Sequence, residues 1–353
     1  MKIVTIIGAR PQFIKAAAVS RVFSVSSEVE EVIVHTGQHF DANMSDVFFE
    51  EMCIPRPHYN LNINGLGHGA MTGQMLEKIE EVLLKEKPEW VLVYGDTNST
   101  IAGALAAKKL HIKVAHVLRS FNMDMPEEIN RILTDRISDV LFCPTDTAMA
   151  NLEREGFGNI DCRIVKNGDV MQDAALFYAD KSRKPEKDII PPKFVLCTVH
   201  RAENTDDQER LRSIFKALEI ISESVPVVLP LHPRTKGKLA VIGYDFTNSK
   251  ICFIEPVGYL EMVWLLKNCT LVMTDSGGLQ KEAYFFGKYC VTMRDETEWV
   301  ELVENGFNVL AGSDTTKIVE SFQLLSKKDG KGFEKRLYGE GTAGEMVMLE
   351  LLR

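Results

Sequence analysis

The sequence predicts an α/β fold of two Rossmann-like, doubly wound domains that face each other across a cleft. Its 353 residues exceed what a single hydrophobic core usually serves. Buried-strand runs alternate with helical segments along the chain, which is the pattern of parallel sheets with right-handed crossovers. A charged segment that contains proline, Lys181–Pro192, separates two such series. We therefore expect one domain over residues 1–175 and a second over 176–340.

The first series opens with a buried-strand run at Met1–Gly8, and the Gly8–Pro11 turn leads into a helix. Further strands are predicted at Val32–Thr36, Trp90–Tyr94, Lys113–Val117, Val140–Cys143 and Ile164–Val165. Helices are predicted at Gln12–Phe23, Met71–Lys85, Ile101–Lys109, Pro126–Ile137 and Asp146–Glu155. Because strands and helices alternate, this series predicts a parallel sheet with helices on its faces.

The second series repeats the pattern after the linking segment. Its strands are predicted at Phe194–Thr198, Val227–Leu231, Ile251–Ile254, Leu271–Thr274 and Tyr289–Met293. Its helices are predicted at Asp207–Ser222, Tyr259–Lys267, Gln280–Phe286 and Trp299–Val303. Ligands of such sheets bind beyond the carboxyl ends of the strands. The polar residues that follow each strand are therefore the candidates for a functional site.

Composition excludes several functional classes. A net charge of -9 argues against non-specific binding to nucleic acid or to an acidic membrane surface. The chain has no apolar run near the roughly 20 residues that cross a bilayer and no signal peptide, so we expect a soluble cytoplasmic protein. The seven cysteines are an odd number without a C-x-x-C pair. We interpret them as reduced core residues and expect neither a metal site nor a disulfide.

The segment Leu271–Glu282 (LVMTDSGGLQKE) is the strongest local signal. A strand runs through a Ser-Gly-Gly turn into a helix, so free backbone N–H groups and the positive end of a helix dipole meet there. Gly277 and Gly278 let the backbone approach an anion, and Ser276 adds a hydroxyl donor. Glu282, one turn into the helix, can bind a ribose diol. The alternative is an ordinary turn with a helix cap.

Other candidate residues also follow predicted strands. Asp96 has a simpler interpretation as a residue of a helix start, and an isolated histidine or arginine is usually a loop residue or a surface ion pair. Their convergence suits a substrate with a diphosphate at one end and a proton to be moved at the other. The first-domain candidates are Arg10, Gln38, His39, Asp96, Arg119, Glu127 and Glu128. The second-domain candidates are His200, Arg201, Glu203, Asn204, His232, Arg234, Ser276–Glu282 and Arg294–Glu298.

Motifs across nearly the whole chain resemble those of the non-hydrolysing UDP-N-acetylglucosamine 2-epimerases. Asn122–Asn130, His200–Asp207 and Pro256–Met262 look most like the branch that acts on UDP-2,3-diacetamido-2,3-dideoxyglucuronate. The family motifs are Gly8–Lys15 (GARPQFIK), Thr36–His39 (TGQH), Gly95–Thr100 (GDTNST), Pro126–Arg131 (PEEINR), Thr198–Asn204 (TVHRAEN), Leu231–Arg234 (LHPR), Thr274–Gly278 (TDSGG) and Met293–Glu298 (MRDETE).

The resemblance implies the glycosyltransferase-B architecture, with a C-terminal helix in residues 341–353 that crosses back to the first domain. It also implies a homodimer, a UDP-sugar substrate and no cofactor. The family eliminates UDP to a glycal and adds it back after the face at C2 is exchanged. Such precursors serve cell-surface polysaccharides, including lipopolysaccharide O-antigen.

The resemblance also implies residue roles. The catalytic residues are Asp96 and Glu128, as the acid/base carboxylates, and His200. His200 and Arg201 lie beside the sugar and the diphosphate. Glu282 binds the ribose. The phosphates are held by Ser276, Gly277 and Gly278, and positive charge is supplied to the departing UDP by Arg10, Lys15 and Arg294. The further substrate-binding candidates are Gln38, His39, Arg119, Asn204, His232 and Arg234.

The chain departs from the family pattern where that pattern reads His-Val-Glu-Ala-Gly-Leu-Arg. Here His116-Val117 is followed directly by Leu118-Arg119, so a third acid/base glutamate is missing. Either the protein has lost these residues, or they are absent only from the sequence as read. Tyr289 replaces a family proline. Phe40–Asn43 replaces the bacterial allosteric pattern, which argues against activation by a second substrate molecule.

Two other functions remain open at this stage. A UDP-sugar glycosyltransferase of the same architecture would need an acceptor site and no proton chemistry at C2. A UDP-sugar-binding protein with little turnover is compatible with the missing Glu-Ala-Gly. Uptake of deuterium at C2 in heavy water separates the epimerase from both.

Overall fold

Two parallel β-sheets, each flanked by helices, form the core of the computed structural model, which describes residues 1–38, 55–117, 126–186 and 190–353. The chain divides into two compact units. Met1–Ala174 and Leu337–Arg353 form the first unit, and Ala175–Arg336 form the second. The predicted fold of two doubly wound α/β domains is confirmed.

The sheet of the first unit has seven strands in the order β3-β2-β1-β4-β5-β6-β7. The described strand pairs are parallel, with Ile3 of β1 opposite both Glu31 of β2 and Trp90 of β4. The strands are β1 (Lys2–Ile7), β2 (Glu30–His35), β3 (Tyr59–Asn60), β4 (Trp90–Tyr94), β5 (Lys113–Val117), β6 (Val140–Cys143) and β7 (Arg163–Lys166).

Helices cover both faces of this sheet, and their apolar sides bury the core around Val4, Val34, Ile79 and Val91. The last helix of the chain packs against the first, and the Gly344 N–H donates to Asp173 at 2.7 Å. The helices are α1 (Arg10–Ser24), α2 (His68–Glu86), α3 (Asn98–Lys109), α4 (Pro126–Ile137), α5 (Asp146–Arg154), α6 (Val170–Ala179, which continues into the second unit) and the C-terminal α14 (Ala343–Leu351).

The sheet of the second unit has six strands in the order β10-β9-β8-β11-β12-β13, and its described pairs are also parallel. Leu196, Val228 and Val272 lie at the centre of its core. The strands are β8 (Val195–Thr198), β9 (Val227–Pro230), β10 (Cys252–Ile254), β11 (Leu271–Thr274), β12 (Cys290–Thr292) and β13 (Asn308–Leu310). The helices are α7 (Ala202–Thr205), α8 (Gln208–Ser222), α9 (Pro233–Val241), α10 (Tyr259–Asn268), α11 (Gly277–Phe285), α12 (Val300–Glu304) and α13 (Thr315–Leu325).

The strand order of each sheet reverses between its first strand and the strand beside it. This switch point lies between β1 and β4 in the first unit and between β8 and β11 in the second. The loops that leave such strands diverge to opposite faces and leave a crevice, which is where open α/β sheets bind ligands. Within the residues that the structure describes, no helix is long and apolar enough to cross a membrane.

Candidate active site

A cavity of 540 Å³ lies at the switch point of the first unit. The buried side chain of Gln12 joins the two turns that form it. Its Oε1 accepts the N–H groups of Gly8 and Ala9 at 2.8 and 2.9 Å, and its Nε2 donates to the Tyr94 carbonyl at 2.7 Å and to Thr97 Oγ1 at 3.0 Å. Gln12 thereby fixes the β1–α1 turn against the β4–α3 turn.

Four of the predicted site residues line this cavity, namely Lys15, Gln38, Asp96 and Glu127. Gln38 accepts the Ser99 N–H and hydroxyl at 3.1 and 2.8 Å, so its position is set by the start of α3. Asp96 is half-buried in the β4–α3 turn. The cavity therefore brings together an amine, an amide and a carboxylate from three different loops or helices.

Helix α4 adds a second carboxylate. Glu127 lines the cavity with Asp96, whereas the carboxylate of Glu128 is bound by Arg131 at 2.6 Å. Asn130, on the same helix, donates to the Asp96 carbonyl at 3.1 Å. Glu128 was the sequence-based candidate for the acid/base group, and that role stays a prediction. The geometry makes its neighbour Glu127, already a candidate from the sequence, a second candidate for the same role.

In the second unit, the buried carboxylate of Asp275 organises the switch point. It accepts the His200 N–H at 3.1 and 3.0 Å, the Arg201 N–H at 3.0 Å and the Asn204 amide at 3.2 Å. Because Asp275 follows β11, one carboxylate holds the loop after the neighbouring strand β8. The ring of His200 lies 3.3 Å from the same carboxylate and is 47% exposed, so it can still meet a ligand.

The Ser-Gly-Gly turn forms the start of α11, as the sequence pattern predicts. Ser276 is the N-cap residue, and its hydroxyl accepts the Leu279 N–H. A Cβ at Gly277 would lie 2.1 Å from Glu298 Oε1, so a larger residue here would displace the carboxylate of Glu298. At Gly278, by contrast, a Cβ would have no atom of the described part of the chain within 4 Å. The turn therefore presents exposed backbone at a helix N-terminus, where an anion is stabilised.

Two arginines lie close together beside this turn. Arg294 is fully buried, and its Nη1 lies 2.7 Å from Glu298 Oε2. The carboxylate of Glu298 also lies against Gly277. Burial lowers the pKa of Arg201, and the positive charge of Arg294 lowers it further. An anionic ligand at the turn would offset the repulsion between these two guanidinium groups. Glu282 is buried on α11, about one turn beyond the glycines.

His232 and Arg234 begin α9, after the strand next to β8. His232 caps this helix, since its Nδ1 accepts the Arg234 N–H at 3.2 Å. Arg234 is exposed and binds Asp206 at 2.7 Å. Thr235 donates to the Val199 carbonyl at 2.7 Å and so joins α9 to the loop of His200. His232 and Arg234 thus lie at the edge of the second-unit site, where each has a local structural partner.

Some sequence-based candidates cannot be compared with the structure. His39, Arg119 and the segment Phe40–Asn43 lie outside the described residues, as does the side chain of Arg10. Residues that sequence reasoning did not single out include Gln12, Asn130 and Asp275. Asp275 follows a strand directly, as the other candidates do, and this position was the available signal. In the described ranges, no group of three metal-ligating side chains is positioned to hold a metal ion.

Comparison with known proteins places this geometry in one family. A family model for UDP-N-acetylglucosamine 2-epimerase matches residues 22–352. A UDP-2,3-diacetamido-2,3-dideoxy-D-glucuronate 2-epimerase of Pseudomonas aeruginosa is 58% identical and covers 98% of each chain. A UDP-N-acetylglucosamine 2-epimerase of Methanocaldococcus jannaschii is 44% identical and covers 99% of this chain and 98% of that protein.

Solved structures of UDP-GlcNAc 2-epimerases also match this chain over its whole length. A crystal structure of the Methanocaldococcus jannaschii UDP-GlcNAc 2-epimerase in complex with UDP-GlcNAc and UDP matches with a TM-score of 0.87 and 43% identity, and covers 100% of this chain and 99% of that one. A UDP-GlcNAc 2-epimerase of Neisseria meningitidis bound to UDP-GlcNAc matches with a TM-score of 0.87 and 30% identity, and covers 100% of each chain.

Proposed function

The chain belongs to the UDP-N-acetylglucosamine 2-epimerase family, and we propose that it is an isomerase that inverts C2 of a UDP-bound 2-acetamido sugar. The proton at C2 of such a sugar is not acidic, so direct deprotonation would be slow. Elimination avoids this: the C1–O bond breaks and UDP leaves with its electron pair, while a base takes the C2 proton and the C2–H electron pair forms the C1=C2 double bond of a glycal. Delivery of a proton to the opposite face of C2 and return of UDP to C1 complete the inversion without any redox step.

We propose UDP-2,3-diacetamido-2,3-dideoxyglucuronate as the preferred substrate. The support is the 58% identity to the Pseudomonas aeruginosa enzyme that is named for this sugar, compared with 44% to a UDP-N-acetylglucosamine 2-epimerase. Asn122–Asn130, His200–Asp207 and Pro256–Met262 are the segments that resemble the same branch. UDP-N-acetylglucosamine is the alternative substrate within the family.

The observation that carries the UDP part of the proposal is the start of α11. Gly278 leaves the backbone exposed at the helix N-terminus, and Arg201 and Arg294 lie beside it. The dipole of α11, its free N–H groups and the two guanidinium groups all favour binding of the diphosphate, which carries most of the negative charge of the UDP group. The buried carboxylate of Glu282 is our candidate for the ribose hydroxyls. His200, Asn204, His232 and Arg234 are candidates for further contacts with the substrate.

The observation that supports proton transfer is the cavity of the first unit. Asp96 and Glu127 line it with Lys15 and Gln38. Two carboxylates can divide the work of base and acid, because one takes the C2 proton while the other delivers a proton to the opposite face. Glu128 remains a candidate for one of these roles. Lys15 supplies positive charge that favours departure of UDP.

A comparison of two substrates tests this function. The protein is incubated with UDP-2,3-diacetamido-2,3-dideoxyglucuronate or with UDP-N-acetylglucosamine, and the C2 epimer is measured by NMR. We expect a higher kcat/KM for the diacetamido uronate. A higher value for UDP-N-acetylglucosamine would contradict the substrate assignment. Transfer of the sugar to an added acceptor without any C2 epimer would favour the glycosyltransferase alternative.

We also propose the setting in which the enzyme acts. Its product would supply a precursor of a cell-surface polysaccharide, made in the cytoplasm, and the protein would act as a homodimer. This part of the proposal rests on family membership. Light scattering at micromolar concentration tests the dimer, since a monomer at the concentration used in the assay would contradict it.

A further inference from the structure

Both ring nitrogens of His116 are engaged in the interior of the first unit. This residue lies on β5 and is fully buried. Its Nδ1 lies 2.7 Å from Asp135 Oδ1, and its Nε2 lies 2.6 Å from the Gly95 carbonyl oxygen. The second oxygen of Asp135 accepts from Arg131 at 2.7 Å, so this carboxylate is an acceptor on both sides. Because a carbonyl oxygen can only accept, Nε2 of His116 is the donor in the bond to Gly95.

The bond to Gly95 fixes the turn that carries Asp96. The Gly95 N–H donates to the Val117 carbonyl at 3.1 Å, so both backbone groups of Gly95 are held by β5. The φ of Gly95 is +67°, a conformation in which the chain leaves β4 sharply. The next carbonyl, that of Asp96, accepts from Asn130 at 3.1 Å. The backbone around Asp96 is therefore fixed from both sides.

The same network fixes helix α4. Arg131 and Asp135 lie on α4 and connect to His116, and Asn130 lies between them and Glu127. Glu127 and Asp96 line the same cavity. One buried chain of hydrogen bonds thus runs from α4, which carries Glu127, through His116 to the turn that carries Asp96.

We propose that His116 is a positioning residue for Asp96, and that the hydrogen bond from its Nε2 to the Gly95 carbonyl is the contact that matters for turnover. The inference rests on the proposed function, because it concerns the proton transfer assigned to Asp96. Proton transfer requires heavy atoms at hydrogen-bonding distance, and a displacement of about 1 Å can lower the rate by roughly 10²-fold. A purely structural role would lower stability and leave the kcat of the folded protein unchanged.

Two amide variants separate the two bonds of His116. In His116→Gln the amide nitrogen lies at the ε position, like Nε2, and can still donate to Gly95. In His116→Asn it lies at the δ position, like Nδ1, and can donate only toward Asp135. His116→Gln therefore keeps the hydrogen bond to Gly95 and loses the one to Asp135, and His116→Asn does the reverse. Ser138→Ala is the matched control, since it removes the 2.7 Å bond to the Thr134 carbonyl near the end of the same helix.

We measure kcat for epimerisation, UDP binding by calorimetry and thermal unfolding for each variant. The expected result is a kcat of His116→Asn at least about tenfold below that of His116→Gln, with UDP affinity unchanged in both. Ser138→Ala should lose stability and keep the wild-type kcat. If His116→Asn does not fold, His116→Gln alone provides the test, because it keeps the donor to Gly95 and loses only the bond to Asp135, so its kcat should stay near the wild-type value.

Equal kcat values for the Asn and Gln variants would overturn the inference, as would a loss of kcat of about tenfold or more in folded His116→Gln. Epimerisation by the wild-type protein together with unchanged turnover in His116→Asn would overturn this inference alone. A wild-type protein that forms no C2 epimer would instead contradict the proposed function, and the inference would fall with it.

Discussion

Arg131 binds the carboxylate of Glu128 through its Nε and Nη2 groups, at distances of 2.6 to 3.1 Å. The two residues lie three positions apart on α4, so they meet on one face of the helix. Glu127, one position earlier, points about 100° away around the helix axis and lines the cavity of Asp96. Adjacent glutamates in one motif therefore have different surroundings.

The first prediction separates these two glutamates. Glu127→Gln should lower kcat by about 10²-fold or more with little loss of stability, because it removes a carboxylate from the cavity. Glu128→Gln should mainly lower the melting temperature, because it weakens the partly buried ion pair with Arg131. Initial rates and thermal unfolding of both variants give the comparison. A large loss of kcat in Glu128→Gln at unchanged stability would instead support the acid/base role that the sequence suggested for Glu128.

The second prediction concerns UDP. The double variant Ser276→Ala/Glu282→Ala should bind UDP at least about tenfold more weakly, since hydrogen bonds to charged groups contribute about 1.5–3 kcal/mol each. Isothermal calorimetry with UDP alone measures this. The exposed Glu320→Ala on α13 is a control that should bind as wild type does. Wild-type affinity in the double variant would mean that the nucleotide site lies elsewhere.

The third prediction concerns Glu31, a half-buried side chain on β2 of the first unit. Burial raises its pKa from 4.5 to about 7, although the hydroxyls of Thr5 and Ser20 donate to it and oppose the shift. The folded protein therefore holds a proton that the unfolded chain releases, so stability falls as the pH rises from 4.5 to 7. The loss from this group is on the order of 3 kcal/mol.

Urea unfolding across this pH range tests the effect. Glu31→Gln cannot ionise, so relative to wild type it should gain stability as the pH rises. The neighbouring Glu30, which is exposed and paired with Lys2, gives the matched control Glu30→Gln, which should follow the wild-type curve. Parallel curves for wild type and Glu31→Gln would show that Glu31 does not titrate in this range.

The fourth prediction concerns the missing Glu-Ala-Gly. If the intact mass of the protein corresponds to 353 residues, inserting these residues between Val117 and Leu118 should raise the rate of C2 deuterium exchange by about 10²-fold or more, because it restores a carboxylate for proton transfer. Insertion of Gln-Ala-Gly is the control and should give no such gain. An equal exchange rate with and without the glutamate would mean that the existing carboxylates suffice.

Much of the fold could be predicted from local patterns. Each predicted strand and helix is present in the structure, because buried runs such as Trp90–Tyr94 and periodic helices such as Pro126–Ile137 carry their signal in adjacent residues. Elements with weak patterns were missed. Helix α9 (Pro233–Val241) buries only Thr235 and Leu239, and strand β13 (Asn308–Leu310) is short and lies at the sheet edge.

The candidate site was only partly predictable for a different reason. The Ser276–Gly278 turn is a local signal and forms the start of α11 as expected. The contacts of Asp275 with the His200 loop and of His116 with Gly95 join residues far apart in the chain. Only the packing of neighbouring strands brings those atoms together, so no local sequence pattern predicts these contacts. The choice between Glu127 and Glu128 likewise depends on how α4 is rotated against the sheet.

The central claim is that the protein exchanges the proton at C2 and that Asp96 takes part. The most direct test is NMR of the UDP-sugar substrate in heavy water with wild-type protein and with Asp96→Asn. We predict deuterium at C2 of the epimerised sugar for wild type, and an exchange rate about 10²-fold or more lower for Asp96→Asn with UDP affinity nearly unchanged. Formation of the epimer without deuterium at C2, or wild-type exchange in Asp96→Asn, would contradict the claim.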